Sequence, residues 1–123
     1  VISIFSERAQ KGLPITIFGD GEQTRDFVYV EDLVSVLAQA IEAPQVEEGA
    51  INVGMNKATT LKQMLGALAE VLGELPPVSH SAARSGDIRH SRANNQRLLE
   101  RFEMAEPTAM SVGLARLLGR ETC

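Results

Sequence analysis

The sequence has no tryptophan, one tyrosine and one cysteine, and aromatic residues make up only 4% of it. The sole cysteine is the last residue, Cys123, which excludes an internal disulfide framework and fits a reducing compartment. Long apolar runs are missing too. None approaches the ~20 residues of a membrane-spanning helix, and no basic segment leads into a short apolar one as in a secretory leader. The chain therefore reads as soluble and cytoplasmic, without a membrane partner. No two basic residues adjoin, and 12 Lys and Arg face 16 Asp and Glu for a net charge of -4. A nucleic-acid face built on phosphate neutralisation needs the opposite balance, so nucleic acid is not an expected partner. An initiator methionine is also lacking. The chain opens at Val1, which fits a piece of a longer protein.

What is present suffices for one folded domain spanning residues 1–123. With 44% apolar and 23% charged residues, a fold of this size buries roughly 65% of its unfolded surface. Apolar positions at Val1, Ile4, Phe5 and Ala9 predict a helix ending at Gly12. The β-branched run from Ile15 to Phe18 and the run from Arg25 to Val30 predict two strands around the turn Gly19-Asp20-Gly21, a hairpin. Glu31 and Asp32 suit a helix N-terminus, and Leu33, Val34, Leu37, Ala38 and Ile41 trace an apolar face over 31–43. Residues 45–48 read as a polar link and 50–53 as a short strand. A third helix is the best marked. Thr60 and Gln63 stand in capping-box relation, Leu61, Met64, Leu65, Leu68 and Leu72 make the stripe, and Gly73 closes it. After Pro76-Pro77 an edge strand over 78–81 precedes an exposed, arginine-rich loop over 83–92. Two short helices finish the chain, around 95–102 and 108–118, the second with Met110, Leu114, Leu117 and Leu118 inward. The fold class is thus a small mixed α/β domain of short strands and about five helices.

The residues carry no recognisable catalytic set. A dinucleotide loop of the form G-x-G-x-x-G would put its third glycine at Thr24, and a strand rather than a helix follows. No G-x-x-x-x-G-K-[ST] loop occurs. Tyr29 has Leu33 four residues on, where a Tyr-x-x-x-Lys base pair needs lysine. His80 and His90 lie ten residues apart in polar loop sequence without ligand spacing, so they read as surface histidines. Two arginine contexts do ask for an explanation. Arg25 sits just past the glycine turn, where a guanidinium held by rigid backbone suits bidentate phosphate recognition. Pairing with Asp26 or Glu22 is the plainer alternative. In Arg84-Ser85-Gly86-Asp87, the cation suits phosphate and the carboxylate a ribose diol; a loop closed by its own salt bridge is the alternative.

Taken in order, these pieces resemble a family. The run PITIFGDGEQTRDFVYVED over 14–32 is similar to the C-terminal half of NAD-dependent nucleotide-sugar epimerases and dehydratases, the extended short-chain dehydrogenase group typified by UDP-glucose 4-epimerase. Ile51-Asn52-Val53-Gly54, Arg84-Ser85-Gly86-Asp87-Ile88, the segment 94–102 and Gly113-Leu114 follow in the family's order. The resemblance implies that Arg25 and Arg84 bind the nucleotide diphosphate, that Asp87 meets the ribose hydroxyls, and that Thr16 and Phe18 line the base pocket. Asn52 and Tyr29 match too and read as structural. Where the family commonly has an aspartate, this chain has Asn94, which can still cap the next helix.

The resemblance also implies a division of labour. The family's amino-terminal Rossmann domain holds NAD, the Tyr-x-x-x-Lys pair and the polarising Ser or Thr, none of which is in this sequence. The parent reaction implied is hydride transfer from the sugar to NAD, then re-reduction from the other face or elimination. This chain is expected to be the substrate-binding domain, inactive alone, with no cofactor of its own. Its expected partners are a nucleotide-diphosphate sugar and the missing domain, which should leave an exposed apolar surface able to self-associate. A stand-alone non-catalytic nucleotide-diphosphate binder and a structural, dimerising domain are the other readings.

Overall fold

The structure, a computed structural model, describes residues 1–45 and 49–120. The expected polar link therefore lies partly, and Cys123 wholly, outside the described residues. The described elements run α1 (Ile2–Gln10), β1 (Ile15–Phe18), β2 (Thr24–Arg25), α2 (Val30–Glu42), β3 (Thr59–Thr60), α3 (Leu61–Leu72), β4 (Val78–Ser81), α4 (Gln96–Arg101) and α5 (Met110–Leu117). None of these helices is long and apolar enough to cross a membrane.

The helix over 61–72 forms as its sequence predicts. The Thr60 hydroxyl accepts from the Gln63 N–H while the Gln63 side chain accepts from the Thr60 N–H, and Gly73 ends the helix at φ 84°. That reciprocal cap satisfies two backbone donors with no helical partner, and the left-handed turn suits a residue lacking Cβ. Leu61, Met64, Leu65 and Leu68 are all buried on the inner face. They meet Phe5 of α1, Ile15 and Ile17 of β1, and Leu114 of α5 in one core. Around this core α5 departs from expectation at one residue: Leu114 is buried, but Leu117 is 60% exposed.

The hairpin does not form. β1 pairs in parallel with β4, Ile15 opposite Val78 and Phe18 opposite Ser81, whereas β2 pairs antiparallel with β3, Thr24 opposite Thr60. β1 gives one edge to β4, Ile15 N–H donating to Pro77 and Gly19 N–H to Ser81, while β2 spends its bonds on β3 and on 89–91, Thr24 N–H donating to Arg89 and Ser91 N–H to Thr24. Gly19 and Gly21, at φ 93° and 81°, turn the chain out of the first sheet and onto the start of α3, where Gly21 accepts from Lys62 N–H. The glycine turn is a crossing between two small sheets. The second strand is also shorter than predicted, ending at Arg25 instead of Val30.

One further expectation is corrected. Residues 50–53 form no strand, and the segment is held at its two ends by side chains, Arg97 donating to the Ala50 carbonyl and Asn95 to that of Gly54. The apolar face of α2 is open. Val36 is its one buried residue, while Val34 is 52%, Leu37 51% and Ile41 84% exposed. The helix is held instead by polar bonds: Asp32 accepts from the N–H and hydroxyl of Thr108, Gln39 exchanges two bonds with Glu103, and Glu31 pairs with Arg116 at 2.9 Å.

Candidate functional site

The parallel pairing of β1 with β4 carries the chain directly into the loop after β4, beside the mouth of β2. Between them lies a cleft of about 650 Å³ bordered by Thr16, Phe18, Arg25, Arg84 and Asp87. All five residues singled out in the sequence thus share one cavity, although the first and last are separated by most of the chain. Thr16 and Phe18 are adjacent same-face positions of β1, two residues apart as the strand period requires. Arg25 sits at the end of β2, half-buried.

Neither plain alternative for the arginines holds. Arg25 Nη1 donates to the Thr24 carbonyl at 2.8 Å and Nη2 to Asp87 Oδ1 at 2.9 Å. Glu22 is engaged by Lys62, and Asp26 by backbone N–H groups. The loop over 84–87 is not closed by its own ion pair either. It turns through a backbone bond from Asp87 N–H to Arg84 with Gly86 at φ 80°, and the Arg84 guanidinium lies over the Phe18 ring, 3.8 Å from its centroid. The aromatic face fixes a long side chain that would otherwise sweep solvent.

Charge in the cleft opposes that of the chain. Three guanidiniums, Arg8, Arg25 and Arg84, border it against the single carboxylate of Asp87, within a protein of net charge -4. Such a local cationic excess, with forked donors held by strand and ring, suits an anion presenting several oxygens. Below the glycine turn, both oxygens of Asp20 receive Arg89 Nη groups at 2.8 Å. The Arg89 bonds, aided by the Glu22 N–H, hold the Asp20 carboxyl well below the usual carboxylate range. This brace ties the turn to the segment after the Arg84 loop.

Sequence reasoning overlooked Arg8 and Gln23. Arg8 lies in the last turn of α1, and its place in the fold brings it to the cleft. Gln23 is 6% exposed. Its Nε2 donates to the Phe18 carbonyl at 2.8 Å, while its Oε1 has no partner. Polarity gave no hint that this residue is interior. Asn52 and Tyr29 contact neighbouring segments: Asn52 reaches the Asn94 carbonyl, and Tyr29 packs on Gly113, where an added Cβ would come within 3.1 Å of the ring. Asn94 is not the cap of α4, which starts from Asn95 without a side-chain cap; its Oδ1 accepts from Gln96 N–H at 3.0 Å, one residue ahead of the N-cap. His80 gives its Nδ1 to Gly19 and His90 to Thr24, and no metal-type cluster occurs among the described residues.

A nicotinamide dinucleotide does not fit these residues. Its pyrophosphate is normally met by the amides of a helix opened by a glycine-rich turn, and here the Gly19–Gly21 turn leads from β1 to β2. The fold and cleft instead define a mixed α/β domain with a cationic cleft suited to a phosphorylated ligand. The NAD dependent epimerase/dehydratase family matches over residues 1–54, and that part of the chain is epimerase/dehydratase-like. It is 34% identical to a UDP-glucose 4-epimerase of Mycolicibacterium smegmatis over 116 residues, covering 94% of this chain and 37% of that protein. Among solved structures, UDP-glucose 4-epimerase of Thermotoga maritima with UDP-glucose superposes with TM-score 0.85 at 29% identity, over 97% of this chain and 38% of that one. UDP-glucose 4-epimerase of Thermus thermophilus with NAD gives TM-score 0.71 at 36% identity, over 80% of this chain and 32% of that one. The chain thus spans only 32–38% of the length of these relatives.

Proposed function

We propose that this chain is the substrate-binding part of an NAD-dependent nucleotide-sugar epimerase or dehydratase, and that its cleft binds the nucleotide diphosphate. The observation that carries the reading is the convergence of Arg25, Arg84 and Asp87 on one cavity. Arg25 and Arg84 would hold the diphosphate oxygens, Asp87 the ribose hydroxyls, and Thr16 and Phe18 the base. Asp87 also orients Arg25 before a ligand arrives, which lowers the cost of ordering a forked donor. A site of this kind does no bond chemistry. It uses the remote nucleotide to fix the sugar where other groups react with it.

Those groups belong, in this reading, to an amino-terminal Rossmann domain that carries NAD. The uncovered face of α2 supports such a partner, because an amphipathic helix with its stripe in water is unusual in a complete fold. The isolated chain would then be inactive and prone to self-association.

Titration of the chain with UDP by calorimetry tests the reading. Arg25→Ala and Arg84→Ala are each expected to weaken binding about 10- to 100-fold, the loss of a charge-assisted hydrogen bond. Affinity unchanged from the unsubstituted chain in both variants would remove these residues from the site and leave a structural, dimerising domain as the better account.

A further inference from the structure

Asp26 follows Arg25 directly, and its carboxylate is spent on backbone. Oδ1 accepts from Met55 N–H at 3.1 Å, and Oδ2 from Asn56 N–H at 3.0 Å and Ala93 N–H at 3.1 Å. These donors come from the two segments on either side of β2. On one side, Thr24 bridges His90 in parallel: Thr24 N–H donates to Arg89, and Ser91 N–H donates to Thr24. Continued by two residues, this ladder would have Ala93 N–H donate to the carbonyl of residue 26. The Asp26 side chain takes that bond instead. On the other side, Met55 and Asn56 stand just before β3, the antiparallel partner of β2. The carboxylate thus ends β2 and fastens both of its neighbours. Gly54 shows how tightly this junction is closed, since a Cβ there would lie 2.4 Å from Ala93 Cβ and 2.9 Å from Asp26 Oδ2.

From this geometry we infer that Asp26 is the positioning residue of the nucleotide cleft. Arg25 lies on β2, and Asp87 lies just upstream of the strand-like segment that Asp26 pins. The clamp sets the register between the two segments and therefore the place where Arg25 and Asp87 meet, 2.9 Å apart. Two carboxylate oxygens can accept all three N–H groups, whereas an amide has a single acceptor oxygen. The inference rests on the reading of the cleft as a nucleotide site.

Asp26→Asn keeps the side-chain shape and strands at least one N–H, and Gly54→Ala keeps the aspartate but forces Ala93 away and crowds Asp26 Oδ2. Either variant that unfolds is replaced by the other, and Ala93→Gly in the Gly54→Ala background relieves the 2.4 Å contact. Two measurements are made on the chain: amide exchange at Thr24, Asp87 and Ser91, and UDP affinity by calorimetry. The expected result is faster exchange at those three amides together with a roughly tenfold loss of affinity, partly restored by Ala93→Gly. Exchange altered only at Met55, Asn56 and Ala93, with UDP affinity unchanged, would overturn the inference and leave Asp26 as a local loop tie. If the unsubstituted chain binds no UDP, the nucleotide reading fails on its own, and unchanged exchange at Thr24, Asp87 and Ser91 would still refute the clamp.

Discussion

Helices α2 and α3 are nearly the same length, 13 and 12 residues, and both carry a continuous apolar stripe. Four residues of α3 are buried, but only Val36 of α2 is. The termini differ in the same direction. α3 begins with a reciprocal side-chain cap and ends on a left-handed glycine, whereas α2 has no side-chain cap at Tyr29 and stops in extended backbone at Ala43. Helical periodicity therefore declares that a face requires cover without saying what covers it. For α3 the cover is in this chain. For α2 it is not among the described residues, and the helix is secured by Asp32, Gln39 and Glu31 reaching toward 103–116.

The sharpest way to break this comparison is to truncate one leucine on each helix. Leu68 is fully buried, and Leu68→Ala is expected to cost about 2–5 kcal/mol, read by urea denaturation. Were that loss small, α3 would not be the centre of the core. Next in size is the cap. Thr60→Ala removes the hydroxyl that accepts the Gln63 N–H and should cost about 1 kcal/mol, whereas α2 offers no equivalent residue to remove. A destabilisation much beyond that would mean the junction of β3 and α3 depends on more than the capping box.

How far the sequence foretold this structure follows from the range of each interaction. The α3 helix, its cap and Gly73 were legible because every contact that defines them lies within one or two turns. The five cleft residues were legible through the ordered motifs of the family, since no spacing rule relates Arg25 to Asp87. The glycine turn was misread, because local sequence shows that Ile15 to Phe18 is a strand but not that it pairs with β4, some sixty residues on, while β2 pairs with β3. Gln23 gave no signal, and Asp26 offered itself only as an ion-pair partner for Arg25. A polar residue in a turn-like run is ordinarily on the surface, and only the fold brings Met55, Asn56 and Ala93 to one carboxylate.

A smaller effect separates the two helices from the other side. Leu37→Ser on α2 is expected to change the stability of this chain by no more than about 0.5 kcal/mol, because the side chain is already half in water. Its effect should appear in association: sedimentation of the unsubstituted chain should show concentration-dependent self-association that Leu37→Ser reduces. Identical sedimentation of both, with a monomer throughout, would remove the face of α2 as an interaction surface and weaken the case for a domain docked on it.

The smallest expected effect concerns the brace beneath the cleft, which bears on the α3 side alone. Gly21, next to Asp20, accepts the Lys62 N–H of the first turn of α3, so the Asp20–Arg89 pair steadies the turn against that helix. The Asp20 carboxyl is held below its ordinary value of 3.8 by the two Arg89 bonds first and the Glu22 N–H second. A depressed folded value means that the unfolded chain binds the proton more readily. The contribution of the pair is therefore fully present above the ordinary value, declines as pH falls below it, and is lost only at the lower folded value. It should not vary between pH 7 and about 5. Carboxyl-carbon titration by NMR reads this directly: Asp20 should remain mostly ionised at pH 3.8, where an unperturbed aspartate is half protonated, and Arg89→Ala should return its midpoint toward that value. A midpoint at the ordinary value in the unsubstituted chain would mean that the bidentate pair does not persist in solution, and that the glycine turn meets α3 through backbone bonds alone.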